Sequence, residues 1–311
     1  MINRFFFMNS TLKDYLFLHF LVVILGFTAI LGRFIEINPV ALVFFRTAIA
    51  SSAIALILFI KKESFRVPSG LLVKLCLAGV ILAFHWVCFF GSARLATISV
   101  SLVTFSTTSF FTSIVEPLGT GKRISRREVI LGGLAILGII LIFNFESQYY
   151  LGILVGLLGA LLVAVYSTSN VIMTHKLPSR LINFYQLLAA AFCLLVCYPF
   201  FLALDWIEID STFPTSVGWM WLFILGTICT VFPHIAIVTL LRRFSAFTVN
   251  LSLNMEPIYG IGLALLFFGE TEHMSVGFYF GSALILLSVC LHAYWDRQKK
   301  ALKVEPEGLS K

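Results

Sequence analysis

Ten times along this chain an apolar run of about bilayer length recurs, and no other feature constrains the fold as tightly. Inside lipid there is no water to satisfy backbone N–H and C=O groups. A run of about 20 apolar residues therefore has to be a helix whose hydrogen bonds close within itself. The runs predict spans at Tyr15–Leu31, Asn38–Ile60, Gly70–Gly91, Thr97–Leu118, Val129–Phe145, Tyr149–Met173, Leu181–Leu204, Thr215–Leu241, Ser245–Phe268 and Met274–Tyr294. Composition agrees: 12% of the 311 residues are charged and 59% are hydrophobic, where a soluble domain carries roughly 25% charged residues. The predicted class is an all-α membrane protein with ten transmembrane helices. The connections are short, the longest being Asp205–Pro214, and leave no room for an inserted soluble domain.

The basic residues orient the chain. With the N-terminus in the cytoplasm, 19 of the 22 Lys and Arg fall on inner segments; Arg33 and Arg94 fall on outer loops and Arg46 lies within a helix. That bias is the positive-inside pattern for an even number of spans with both ends cytoplasmic. The outer loops collect Glu36, Glu146, Asp205, Glu208, Asp210, Glu270 and Glu272. The first run has no small-residue cleavage site, so it is expected to be a retained helix, not a signal peptide. The placement expected is a bacterial inner membrane, with residues 296–311 as a disordered cytoplasmic tail. The net charge of +7 is then a topology signal at lipid headgroups, with no call for nucleic acid.

The usual catalytic and cofactor patterns are missing. Gly119-Thr-Gly-Lys122-Arg lacks the upstream Gly and the Ser/Thr of a P-loop, and there is no His-Glu-x-x-His helix or Gly-x-Ser-x-Gly elbow. The six cysteines all sit in apolar runs, as small core residues. No metal or cofactor is expected. An intramembrane lipid-modifying enzyme, the remote alternative, would need clustered catalytic groups at the membrane face.

Displaced by 148 residues, the chain partly matches itself. Ser109-Phe-Phe-Thr falls on Pro257-Ile-Tyr-Gly, Lys122 on Glu270 and Gly133 on Gly281. Each copy holds five helices, residues 1–147 and 148–295, and an odd number turns the second copy upside down. The turn of residues 119–128 then lies inside with four basic residues, while its counterpart 269–274 lies outside with Glu270 and Glu272. Inverted repeats of this kind place a substrate site near mid-membrane, between the halves.

With the repeat in view, the chain resembles the EamA branch of the drug/metabolite transporter superfamily over essentially its whole length. The resemblance rests on Phe45-Arg46 and on Ala93–Pro117, from Ala-Arg-Leu-Ala-Thr-Ile-Ser to Phe-Phe-Thr-Ser-Ile-Val-Glu-Pro. It rests also on Met255-Glu256-Pro257 leading to Leu-Phe-Phe-Gly269-Glu270, then Gly277 and Gly281. It implies two inverted five-helix repeats forming a permease for small metabolites, amino acids among them. Export of an amino-acid-like substrate by alternating access is the first expectation, and uptake or exchange without proton coupling is the alternative. A homodimer stays open. Two positions depart from the family pattern. Ser109 stands where a proline is common, and Lys122 where an acid is usual, so the first half's helix break is expected to be the milder.

Within this frame the polar residues of the spans become candidates, because ionisable groups at membrane depth are kept facing a bundle interior or a wet cavity. Glu256, followed by Pro257 in a helix also carrying Asn250 and Asn254, is the strongest, as a proton carrier or a partner for a substrate amine. Arg46 could clamp a carboxylate bidentately or pair with Glu256, or equally well pack against a neighbouring helix or snorkel to the outer interface. His85 could relay protons and Trp86 could stack on substrate, though a buried structural pair fits as well. The hydroxyl run Thr104, Ser106, Thr107, Thr108, Ser109 and Thr112 is expected to line a polar path. Its rival role is to glue helices together, at about 0.6 kcal/mol per contact. Tyr166, Asn170, Tyr185 and Tyr259 are further wall candidates. Glu116 and Pro117 read as a helix terminator or inner gate. His19 and His234 are expected to be structural, and Gly152xxxGly156 and Gly277xxxGly281 to be packing motifs.

Overall fold

The computed structural model describes residues 12–121, 126–253 and 255–304, and among these it is helical with no strand. The helices are α1 (Leu12–Phe34), α2 (Pro39–Ile60), α3 (Ser69–Leu95), α4 (Ile98–Phe105), α5 (Thr108–Thr120), α6 (Arg126–Phe145) and α7 (Tyr150–Thr174). They continue with α8 (Ser179–Ala203), α9 (Ser216–Gly226), α10 (Phe232–Leu240), α11 (Ala246–Leu253), α12 (Glu256–Phe268) and α13 (Val276–Val304). Among the described residues seven stretches are long and apolar enough to cross a membrane, three of them built from consecutive helical segments. Ile130–Phe145, Glu256–Phe268 and Val276–Ser288 are shorter apolar helices.

Local chemistry sets many of the ends. Asn38 Oδ1 accepts from Ala41 N at 2.8 Å, and Pro39 occupies the first turn of α2, where its missing N–H is harmless. The side chains of Thr97 and Thr215 cap α4 and α9 in the same way. Gly121, at φ 73°, stops α5. Because α5 runs through Pro117 to Thr120, that proline does not terminate the helix.

The helix break expected to be milder in the first half is present in both. It falls at Ser106–Thr107 between α4 and α5, and at Met255 between α11 and α12, Thr107 and Met255 being one offset of 148 apart. Hydroxyls do in the first half what proline does in the second. Ser106 donates to Val103 O at 2.6 Å, Thr107 to Thr104 O at 2.6 Å and Thr108 to Phe105 O at 2.6 Å. Carbonyls served by side chains do not need the helical N–H, so the helix can part without exposing them to lipid. The eighth predicted span is also interrupted, by a π-turn at Thr227–Val231 between α9 and α10. At the far end α13 continues to Val304, past the expected tail boundary at 296. Residues 296–304 include Gln298, Lys299, Lys300, Ala301 and Lys303, all good helix formers.

Packing joins the two halves throughout. α3 lies against α7 and α8, α2 against α8, α6 against α13, and α1 against α12. The broken pairs meet crosswise, α4 on α12 and α5 on α11. Small residues permit the closest approaches: a Cβ at Gly156 would collide with Thr104 Oγ1, and one at Gly281 would come within 2.6 Å of Gly138 O.

The two ends of the bundle differ in charge. At the basic end Arg180 pairs with Glu63 and Arg243 with Asp14 at 3.1 Å. At the acidic end carboxylates cap helices across the repeat boundary. Glu272, 1% exposed, accepts from Ile98 N at 3.1 Å and from Ser99 N and Oγ at 2.9 Å each. Glu146 accepts from Ser275 N at 2.8 Å. Arg94 Nη2 reaches the carbonyls of Ile35 and Ile37 at 2.7 and 3.1 Å, and Phe34 packs on Trp221, Phe267 and Phe268.

Candidate functional site

A cavity of about 70 Å³ lies between the halves, with walls from α1, α2, α3, α4, α7, α10, α11 and α12. Arg46 on its wall is seven residues into α2 from the acidic end, or about 11 Å at the helical rise. The cavity runs past Tyr166, Ser167 and Asn170 on α7 towards Ile237, Val238 and Leu241, beside Arg242 at the basic end. The interlocked acidic end lies beyond Arg46.

Arg46 is 2% exposed, and its guanidinium is held from two sides. Nε donates to Thr230 Oγ1 at 2.7 Å, and Cζ sits 4.1 Å from the Trp86 ring centroid and 5.6 Å from that of Phe90. Stacking on an indole face in a dry site contributes about 2 kcal/mol. Among the described residues neither Nη nitrogen makes a hydrogen bond, so the outer edge of the fork remains for something else.

Glu256 is the first residue of α12 and 4% exposed. Pro257 follows in the first turn, where proline costs nothing. The break therefore sets the carboxylate at the positive end of a helix dipole, facing the cavity. Among the described residues Glu256 and Arg46 share the cavity walls but form no ion pair. The site thus offers a guanidinium and a carboxyl group that are not paired with each other.

His85 and Trp86 both line it. His85 Nδ1 lies 2.8 Å from Gly159 O; a carbonyl only accepts, so Nδ1 carries the proton and the ring orientation is set by α7. Trp86 meets His234 edge to face at 4.9 Å. His234, expected to be structural, packs on Trp86 and also lines the cavity. Tyr166 donates to Gln186 Oε1 at 3.0 Å, and Gln186 Nε2 donates to Asn170 Oδ1 at 2.8 Å. Asn170 Nδ2 beyond it is buried and makes no further hydrogen bond among the described residues. Apolar surface completes the lining: Leu25, Leu82, Phe89, Phe105, Val163 and Leu253.

Several candidates lie elsewhere. Thr104 and Thr108 are buried but turn their hydroxyls back onto Val100 O and Phe105 O, and Thr104 seats Gly156 of α7. From the hydroxyl helix only Phe105 reaches the cavity. Tyr259 is 37% exposed on the outside of α12 and is not in the lining. Tyr185 donates to Phe65 O at the basic end. Glu116 and Pro117 are buried inside α5, away from the cavity. Asn250 is carried on α11, but its side chain, like Asn254, falls outside the described residues. Thr28, Thr230, Ser167 and His234 were not singled out by sequence as site residues. No motif marks them, because their relevance comes only from what the fold sets opposite them.

A helical bundle with apolar spans, paired helix breaks and a charged cavity between its halves defines a multi-pass membrane protein of the transporter class. The chain belongs to the EamA-like transporter family, whose model matches it twice, over residues 12–144 and 150–294. No curated protein sequence matches it. A solved structure described only as a crystal structure of a protein superimposes with a TM-score of 0.66 and 17% identity. It covers 93% of this chain and 99% of its own, and at that identity it shows the fold alone.

Proposed function

We propose that this protein is a secondary active transporter for a small zwitterionic, amino-acid-like metabolite, working by alternating access between two inverted five-helix repeats. The carrying observation is the placement of Arg46 and Glu256 on one cavity without direct contact. Two ionisable groups inside a membrane that do not pair with each other are costly to keep. A ligand bearing a carboxylate and an ammonium group would satisfy both, with its side chain against Leu82, Phe89 and Phe105.

The three shorter apolar helices join the seven long stretches as ten spans, both chain ends in the cytoplasm of a bacterial inner membrane. In that orientation the basic end is cytoplasmic, and the lining extends towards it as far as Leu241 while the opposite end is interlocked. This supports loading from inside, and export is the direction we propose. Glu256 carries a proton or the substrate ammonium. Rocking of the halves would break the acidic-end contacts of Glu272 and Glu146 and close the basic end.

Flux of radiolabelled amino acids through purified protein in proteoliposomes, with and without an imposed pH gradient, tests this. Substrate movement driven by the gradient is the expected result. Flux indifferent to the gradient would favour uncoupled uptake or exchange, and no flux for any zwitterion would overturn the proposal.

A further inference from the structure

We infer that Thr230 is a positioning residue for substrate: through the π-turn it aims the Arg46 fork into the cavity, so that the anion site exists only while α2 and the α9–α10 helix are docked. This rests on Arg46 being the anion-binding group.

The geometry leaves Thr230 little freedom. It is fully buried, and its single hydroxyl proton is committed to Leu225 O, five residues back, at 2.6 Å. In an α-helix that carbonyl would accept the N–H of residue 229; the wider π-turn changes which carbonyls are free. With its proton spent, the Thr230 oxygen can only accept, and it accepts Arg46 Nε–H at 2.7 Å. Nε is the one guanidinium donor whose use leaves both Nη groups open on the far edge. Trp86, 4.1 Å away, fixes the plane of the group. A fork held by its plane and by Nε has one direction left, along which it can receive two oxygens side by side.

The two supports come from different halves. Trp86 belongs to the first repeat and Thr230 to the second. They are brought together where α2 nearly touches Gly226, whose Cβ would stand 3.3 Å from Arg46 O. Separation of α2 from the π-turn would leave the arginine on Trp86 but without its aim. Ligand binding is thereby tied to one arrangement of the halves, as coupling by differential affinity requires.

Two measurements decide it, on full-length protein in lipid nanodiscs. The first needs no ligand. In ¹⁵Nε-arginine-labelled protein, the Nε–H signal that vanishes in Arg46→Lys should exchange slowly in the wild type and in Thr230→Ser. In Thr230→Val, which has the same shape without the hydroxyl, it should exchange at least tenfold faster. Equal protection in Thr230→Val overturns the proposal, and Thr230→Ala serves should the valine variant not fold. The second compares L-leucine with isoamylamine, the same molecule lacking its carboxylate. The wild type and Thr230→Ser should prefer leucine, and Thr230→Val should weaken leucine about tenfold while leaving the amine unchanged. A Thr230→Val protein with wild-type preference removes the aiming role alone. A wild type with no preference removes the anion role of Arg46, and the inference falls with it.

Discussion

Lysine at position 46 keeps a positive charge in the cavity and removes the fork, so Arg46→Lys isolates geometry from charge. Three contacts change: the 2.7 Å bond from Nε to Thr230, the stack 4.1 Å over Trp86, and the pair of Nη donors left free on the cavity side. The first two act on the protein, and the third acts on a bound carboxylate. An ammonium group can supply one strong donor where the guanidinium supplies two in parallel. A charge-assisted hydrogen bond is worth about 1.5–3 kcal/mol, and each 1.4 kcal/mol is about tenfold in affinity. The dissociation constant of a carboxylate ligand should therefore rise between roughly tenfold and a hundredfold. That of the matching decarboxylated amine, which never used the fork, should move by no more than about twofold. Competition binding with amino-acid and amine pairs, on protein of verified folding, reads the difference directly. An equal loss for acid and amine would show that Arg46 supports the fold and not the ligand. No loss for either would remove it from the site.

Other consequences follow from the same contacts. Glu256→Gln keeps the shape of the α12 N-terminus and should abolish gradient-driven flux; gradient-driven flux at the wild-type rate would take Glu256 out of the mechanism. In an Ile98→Cys background, Glu272→Ala strips three hydrogen bonds from the acidic end. Labelling at position 98 by a membrane-impermeant maleimide should then rise at least tenfold, and unchanged labelling would show that Glu272 does not hold that end shut. Gly156→Leu drives a side chain into Thr104 and Ser92; overpacking of this kind costs about 1–3 kcal/mol, and an unchanged melting temperature would contradict the close α4–α7 approach.

Much of the architecture is legible in the residues because lipid permits so few backbone arrangements. The apolar runs mark the helices, and Asn38, Thr97 and Thr215 mark their starts. Glu256-Pro257 declares one helix break openly. Its counterpart at Ser106–Thr107 is hidden, since hydroxyls reach the same result through side-chain bonds to carbonyls, a pattern that reads equally well as pore lining. The site is legible only in its charged members. Arg46, Glu256, His85 and Trp86 stand out for being in a membrane at all. His234 and Thr230 matter through contacts with residues far away in sequence, Thr230 meeting a partner 184 positions off, and Thr28 only through its place in the lining. The π-turn that presents it has no local signature, and the same is true of the outward placement of Tyr259.

The carboxylate caps at the acidic end carry an asymmetry for how such a protein can change. Glu272 and Glu146 each grip main-chain amides of the opposite half, groups that almost every amino acid supplies. Replacements at Ile98 or Ser275 therefore leave most of the grip intact, whereas a single change at either acid removes it outright. Susceptibility of the closed end to mutation is concentrated in two positions, and a lineage could retune how readily that end opens by altering those acids alone, with the cavity untouched.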